Sequence, residues 1–120
     1  MKKLRSVLFV LTLLAFVSAY AIDSYQLIKT QLVITIRNEL GNTEGDVQVQ
    51  LYETEDDYKN EENMVAEGIT DKKGVVKFKD LKDIPYFVLA SKDDLNNFGG
   101  GEQTGKLETG RINKVTIVIQ

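Results

Sequence analysis

The stretch TDKKGVVKFKDL, from Thr70 to Leu81, places a turn signal directly before a strand signal. Asp71 can begin a tight turn by accepting hydrogen bonds from nearby backbone amides, and Gly74 can adopt the left-handed conformation that closes it. Val76 and Phe78 then alternate with lysines, which is the period of a strand with one buried face. The stretch therefore predicts a tight turn that leads into a half-buried β-strand.

The same period of two recurs along the chain, except that the run 86–91 is apolar on both faces, as in a central strand, and no long segment has helical period. The predicted strands are 31–37, 47–53, 64–70, 75–79, 86–91 and 113–120, with a weak seventh strand at Gly105–Thr109. The one predicted helix is short and begins after Thr54, which can cap a first turn rich in acidic residues. Short strands separated by turns predict an all-β fold of about seven strands, in antiparallel sheets packed face to face.

The start of the chain has the composition of a secretory signal peptide. A basic segment precedes an apolar run from Val7 to Val17, and Ala19-Tyr20-Ala21 supplies a small-x-small cleavage site. Because the apolar run is too short to span a bilayer comfortably, we expect a secreted protein, periplasmic or extracellular, with no membrane insertion after cleavage. The predicted organisation is a signal peptide over 1–21, an N-terminal lead-in over 22–30 and one β-sandwich domain over 31–120.

Composition excludes several classes of function. The 120 residues include no His and no Cys, so a Ser-His or Cys-His nucleophile pair and an imidazole metal site are impossible. A domain of this size also offers little room for the deep cleft that paired catalytic carboxylates need. Past the signal segment, 12 basic residues face 18 acidic ones, and a net charge near −6 disfavours nucleic acid as a partner. We therefore expect a protein that is not an enzyme and uses no cofactor.

The segment from Gly100 to Lys106 fits the G-x-x-x-x-G-K pattern of a nucleotide-binding phosphate loop. However, Leu107 stands where a Ser or Thr would hold magnesium, and the sequence that follows has strand period. No helix is therefore predicted after this loop to supply amide donors and a favourable dipole. The match is a coincidence of composition.

The same loop raises two other hypotheses. Phe98, beside three glycines, is a candidate contact for a sugar ring or a partner's apolar patch, with Tyr58 as a second candidate; equally, Phe98 could fold back over the end of the sandwich. Asp and Asn also crowd turns because their side chains bond the local backbone. A loose calcium site is open to four side chains of the loop: Asp93, Asp94, Asn96 and Asn97.

The run from Thr70 to Leu81, followed by YFVLA at 86–90, resembles the T-D-x-x-G-x-x-x-F-x-x-L…Y-x-V-x-A pattern of carboxypeptidase regulatory-like domains. Upstream, 41–52 is similar to the family's G-x-P-V-x-G-A-x-V-x-L-Y, although Thr43-Glu44 replaces Pro-Val and Asp46 replaces Ala. Small secreted proteins of Bacteroidetes-type bacteria often look like this. The resemblance implies a transthyretin-like (prealbumin-like) Greek-key β-sandwich and implies no ligand. Four motif residues are expected to anchor the core between the sheets: Phe78, Leu81, Tyr86 and Val88.

Two relatives of that fold carry chemistry that can be compared with this chain. Transthyretin-like hydrolases use His, which is absent here. Collagen-adhesin B-type domains cross-link a first-strand Lys to a last-strand Asn, and the position that resembles the Lys is Arg37, which lacks the amine nucleophile. A displaced bond between Lys29 and Asn113 remains open.

The sequence thus predicts a non-catalytic, secreted binding or accessory module at the bacterial cell envelope. It would engage envelope or extracellular proteins through loops or a sheet edge such as Val115–Ile119, since an exposed strand can accept an added strand. The alternative is a carbohydrate- or calcium-dependent ligand-binding domain that uses the loop 93–102.

Overall fold

The computed structural model describes residues 28–120, so the predicted signal peptide and most of the lead-in lie outside the described residues. Seven strands and one helix occur in the described part of the chain. They are β1 (Gln31–Arg37), β2 (Gln48–Tyr52), α1 (Glu55–Asn60), β3 (Ala66–Ile69), β4 (Val75–Phe78), β5 (Phe87–Lys92), β6 (Leu95–Asn96) and β7 (Ile112–Val118).

The strands form two sheets, one of three strands in the order β4-β1-β7 and one of four in the order β3-β2-β5-β6. All ladders are antiparallel except that between β1 and β7, which is parallel from Gln31↔Ile112 to Arg37↔Val118. The expectation of purely antiparallel sheets is therefore wrong for this pair. Parallel neighbours need a long connection, and here the whole of the chain between β1 and β7 provides it.

The core lies between the two sheets and follows the predicted alternation. Leu32, Ile34 and Ile36 of β1 are fully buried and belong to one apolar cluster with residues of β2, β4, β5 and β7. The four residues that the family resemblance marked as core anchors take that place. Phe78, Tyr86 and Val88 are buried, and the partly buried Leu81 packs against them.

The turn before β4 forms as the sequence indicates. The Asp71 carboxylate accepts hydrogen bonds from the amides of Lys73 and Val75 at 2.9 and 3.0 Å, and Gly74 has φ +78°. The buried Thr70 hydroxyl accepts from the Val47 amide at 3.0 Å and thereby links the turn to the start of β2. In this motif, Thr70 and Asp71 thus accept backbone hydrogen bonds, and Gly74 provides the left-handed conformation.

The weak strand predicted at Gly105–Thr109 is not formed, since this segment is a loop. Leu107 is buried in the core as a single apolar side chain, and one inward residue among polar neighbours does not establish a strand. The seventh strand is instead β6, whose Asn96 exchanges two backbone hydrogen bonds with Gln120. This exchange joins the two sheets at one corner.

Candidate binding surfaces

Helix α1 lies on the outer face of the four-stranded sheet. Its start is fixed by Thr54, whose hydroxyl accepts a hydrogen bond from the Asp57 amide at 3.1 Å, as predicted. Its end is fixed by Glu61, which has a left-handed φ of 52°. The buried residue of the helix is Tyr58, which faces the sheet and pins the helix to it.

Tyr58 is the centre of an aromatic cluster formed with Tyr52, Phe87 and Phe98. Its ring centroid lies 6.1 Å from that of Tyr52, 5.9 Å from that of Phe87 and 5.8 Å from that of Phe98. Such edge-to-face and tilted contacts stabilise aromatic pairs beyond the area that they bury. The structure therefore brings together Phe98 and Tyr58, the two candidate ligand contacts that are 40 positions apart in the sequence.

The two rings differ in what they can offer a ligand. Tyr58 is only 2% exposed, whereas Phe98 is 50% exposed and covers one side of the Tyr58 ring. Phe98 thus packs on the helix instead of over the core between the sheets, and its outer side faces solvent. Any stacking contact in this region would be made by Phe98, with Tyr58 as its support.

The Tyr58 hydroxyl is buried, and no acceptor lies at hydrogen-bonding geometry among the described residues, although the Glu102 carboxylate is close enough to act on it. Burial raises the pKa of Tyr58 to about 12, and the negative charges of Glu102 and Glu61 act in the same direction. The phenol is therefore neutral at physiological pH. The sequence contained no signal for this arrangement, because Glu102 reaches the helix only through the fold of the glycine loop.

Asn97 is buried, and its side chain makes hydrogen bonds to the backbone of β5 like those that a neighbouring strand would make. Its Oδ1 accepts from the Ala90 amide at 2.9 Å, and its Nδ2 donates to the carbonyls of Val88 and Gly101 at 2.8 and 3.3 Å. These bonds satisfy backbone groups of β5 where β6 no longer pairs with it. The local-backbone explanation for the Asx residues of this loop therefore holds for Asn97.

Of the other candidate calcium ligands, Asp93 and Asp94 lie in the turn between β5 and β6, and Asn96 lies in β6. Asp93 has a left-handed φ of 53° and is followed by Asp94, while the Asn96 side chain accepts from the Phe98 amide at 3.0 Å. Within residues 28–120, no group of three or more acidic side chains is arranged to hold a metal ion. Both amide oxygens that the calcium hypothesis requires are already engaged with the backbone.

The candidate sheet edge is real, because β7 ends the order β4-β1-β7 and pairs only with β1 among the described strands. The Ile119 amide donates to the Arg37 carbonyl, and the Arg111 carbonyl accepts from Gln31. Backbone groups of successive strand residues point to alternate sides, so odd-numbered residues of this segment face β1. Even-numbered residues face outward, as the pairing of Gln120 with β6 confirms. Over β7 itself, the outward amides are those of Ile112, Lys114, Thr116 and Val118.

Lys29 and Asn113, the two residues of the hypothetical cross-link, are both engaged with other groups. The Lys29 ammonium lies 3.1 Å from the Asp80 carboxylate, and both side chains are exposed. The Asn113 Nδ2 donates to the Gln31 carbonyl at 3.0 Å and also to the carbonyls of Glu108 and Arg111, which precede β7. Each group is held by other partners.

No protein-family model matches the chain, and no curated protein matches it. Its fold is similar to a solved structure of the Bacillus anthracis TIE protein, with a TM-score of 0.55 and 23% identity over 77% of this chain and 17% of that chain. It is also similar to the group B streptococcus pilus 2b backbone protein, with a TM-score of 0.51 and 12% identity over 76% of this chain and 40% of that chain. The chain thus spans less than half the length of either protein.

These similarities concern the fold alone, because the identities are low. Together with the two packed sheets they define the chain as an all-β protein with an Ig-like β-sandwich fold. In the part of the chain that the structure describes, no helix is long and apolar enough to cross a membrane.

Proposed function

We propose that this chain is a non-catalytic binding module, secreted to the bacterial cell envelope or beyond, that engages a protein partner by adding a strand to the open edge of β7. The observation that carries the proposal is this seven-residue edge strand, which has alternate backbone amides directed away from β1, its one neighbour among the described strands. An extended peptide can pair with such an edge through main-chain hydrogen bonds.

The surroundings of the edge are compatible with an added strand. Natural sheets block an open edge with short strands, proline, bulges or charges, and β7 carries only Lys114 among these devices. Ile112 and Val118 are 56% and 42% exposed, which provides apolar contacts at the two ends of the strand. Main-chain pairing would supply affinity, and these end contacts would supply part of the selectivity.

The finer family assignment and the cellular location are part of the same proposal. The T-D-x-x-G motif and its core anchors support a transthyretin-like Greek key of the carboxypeptidase regulatory-like kind, and the predicted signal peptide supports secretion. A surface location is also supported by similarity in fold to a protein named as a pilus backbone protein.

The test uses the alternation of amides along β7. Thr116→Pro removes an outward amide and places the ring in the path of an added strand, while the ladder with β1 is kept. Thr116→Ala keeps the amide and is the matched control. Binding of envelope proteins from the source bacterium to immobilised protein should be lost with Thr116→Pro and retained with Thr116→Ala. Equal recovery with both variants would contradict strand addition.

Hydrogen exchange supplies an independent measurement. In the free protein, the amides of Lys114 and Thr116 should exchange faster than those of Val115 and Ile117, which face β1. A bound partner strand should slow the exchange of the even-numbered amides selectively. Uniform protection along the free strand would mean that the edge is already covered.

The half-exposed Phe98 favours a second candidate function, which is carbohydrate binding through the loop 93–102. A sugar ring could stack on its open side, with Tyr58 as the fixed support. Glycan-array binding that disappears in Phe98→Ala, while the variant remains folded, would support this function. A blank array, together with no calcium-dependent shift in melting temperature, would dismiss both forms of the ligand-binding hypothesis.

A further inference from the structure

The outer face of the three-stranded sheet is basic in a chain whose net charge is negative. We call the basic face the set of side chains that point outward from β4, β1 and β7: Val75, Lys77, Gln31, Val33, Thr35, Arg37, Ile112, Lys114, Thr116 and Val118. The face contains three cations and no carboxylate. Within residues 28–120, none of these cations forms an ion pair, and Arg37 donates only to the Gly41 carbonyl at 2.7 Å.

The strand register sets the spacing of the charges. Val33 pairs with Lys77 on one side and Lys114 on the other, so the two lysines lie in one row across the sheet. With strands about 4.8 Å apart, their Cβ atoms are separated by about 10 Å. That separation is about one Debye length at 0.1 M salt, so the two charges act together on a partner at lower ionic strength.

The opposite side of the molecule is acidic. We call residues 53–67 the acidic ridge, since they comprise α1 and its flanking segments and carry seven acidic residues against one Lys. The ridge lies outside the four-stranded sheet because Tyr58 packs on Tyr52 and Phe87 there. Lys59 pairs with Glu55, and Lys82 pairs with Glu53. Four exposed ridge carboxylates form no ion pair within residues 28–120: Asp56, Glu61, Glu62 and Glu67.

We infer that the basic face docks on the acidic ridge of a second copy of this chain. The two surfaces are complementary in charge and lie on opposite sides of one sandwich, so one molecule cannot satisfy both by itself. Each also has an apolar component, with Val33 and Val118 on the basic face and the exposed Met64 and Val65 on the ridge. Contact between different surfaces of identical copies is heterologous and leads to head-to-tail assembly.

The dimensions of the face set the strength of the contact. Three strands of up to seven residues span about 14 Å by 23 Å, or roughly 320 Å². A standard stable interface buries about 800 Å² per partner, so a single contact of this kind is weak and depends on charge. The assembly should therefore grow with concentration and dissociate with salt. The contact uses the face of the sheet and not the edge of β7, so it stands apart from the proposed strand addition.

The test uses two charge-reversed variants, each of which keeps one native surface. Lys77→Glu/Lys114→Glu removes the basic face and leaves the ridge, and Glu61→Lys/Glu62→Lys does the opposite. Sedimentation velocity over a concentration series should show oligomers of the wild type at low salt and monomers at about 1 M salt, where the Debye length is about 3 Å. Each variant alone should be monomeric. Their equimolar mixture should associate again, because the native ridge of one variant meets the native basic face of the other and the two altered surfaces are also opposite in charge.

A matched control separates position from net charge. Lys72→Glu/Lys106→Glu changes the charge by the same amount at exposed positions outside the basic face, and it should assemble like the wild type. A wild type that stays monomeric throughout the low-salt series, or a mixture that fails to pair, would overturn the inference. Binding of a soluble polyanion such as heparin that requires Lys77 and Lys114, with no self-association, would also overturn it and would assign the face to an external polyanion.

Discussion

Asn97 can distinguish the two explanations of the Asp- and Asn-rich loop 93–97, which are a structural role in bonding the backbone and a role in binding calcium. Asn97→Asp keeps the shape of the side chain but replaces the Nδ2 donor with a carboxylate, which leaves the Val88 carbonyl without its partner and places a charge in the interior. We expect a loss of about 2–4 kcal/mol in the free energy of unfolding, since a buried unsatisfied group costs about 1–3 kcal/mol and more if charged. Urea denaturation with and without calcium measures this loss.

The same substitution would have the opposite result if Asn97 were a calcium ligand. A carboxylate in place of an amide oxygen should then strengthen calcium binding and raise the stability of the variant in calcium. Asn97→Ala is the control, because it removes all three side-chain hydrogen bonds without adding a charge. Calcium-dependent recovery of Asn97→Asp alone would contradict the structural role.

The Tyr58 hydroxyl predicts a dependence of stability on alkaline pH. Its pKa is raised from 10.0 to about 12 in the folded protein. Between these values the unfolded chain loses the proton while the folded chain keeps it, so the folded state binds more protons and stability falls as the pH rises from 10 towards 12. Tyr58→Phe removes this contribution, and urea denaturation at a series of alkaline pH values should show a shallower fall.

At neutral pH the same variant should be as stable as the wild type or more stable. Among residues 28–120 the hydroxyl has no partner at hydrogen-bonding geometry, so its removal costs no good hydrogen bond. Tyr52, whose pKa is also raised, chiefly by burial, keeps its own share of the alkaline fall in the variant. A marked loss of stability at neutral pH would mean that Tyr58 has a hydrogen-bond partner, with Glu102 as the acceptor.

The turn before β4 depends on the left-handed conformation of one residue, Gly74. Gly74 has φ +78°, and a Cβ at this position would lie 2.8 Å from the Ile36 carbonyl oxygen. We expect Gly74→Ala to lower the free energy of unfolding by at least about 1–2 kcal/mol, the cost of the left-handed conformation alone. Gly105→Ala, which meets no atom within 4 Å and has no positive φ, is the control and should be nearly neutral.

The elements also show how far the sequence predicts the fold. Period-two alternation predicted five of the strands, a run apolar on both faces predicted β5, and the capping residue Thr54 predicted the helix, because all these signals are local. The parallel β1–β7 pair was missed, since the direction of a neighbouring strand depends on the path of the whole chain between them. β6 was missed because Leu95–Asn96 is too short to show a period, and Leu107 mimicked a strand although it only fills the core.

The candidate surfaces also differ in how far the sequence predicts them, because local features can be predicted and features that depend on the path of the whole chain cannot. The last strand follows from its alternation, although its place at an open edge depends on sheet order, and an exposed aromatic follows from its glycine neighbours. The aromatic cluster joins residues from β2, α1, β5 and the glycine loop, and the basic face joins residues from three strands. Such surfaces depend on sheet order, which the sequence did not supply.

At the scale of the whole molecule, the sandwich is held by its core without any disulfide, as the chain contains no Cys. The first and last strands are neighbours, and the ends of β7 are tied to Gln31 and to β6 by backbone hydrogen bonds. This arrangement closes the fold by noncovalent contacts alone. A covalent bond between Lys29 and Asn113 would join the segment before β1 to β7 a second time, and its formation would release ammonia.

We expect that bond to be absent, because Lys29 is paired with the exposed Asp80 and the Asn113 amide is donated to three carbonyls. An amide exchange also needs the Lys29 amine to reach the Asn113 side chain, and in this geometry each group is engaged by other partners. Intact-mass spectrometry of the purified mature protein should therefore give the calculated mass of residues 22–120. Lys29→Arg, which cannot form the bond, should show the same agreement between measured and calculated mass. A wild-type mass lower by one ammonia, restored to the calculated value in Lys29→Arg, would show that the sandwich is closed covalently.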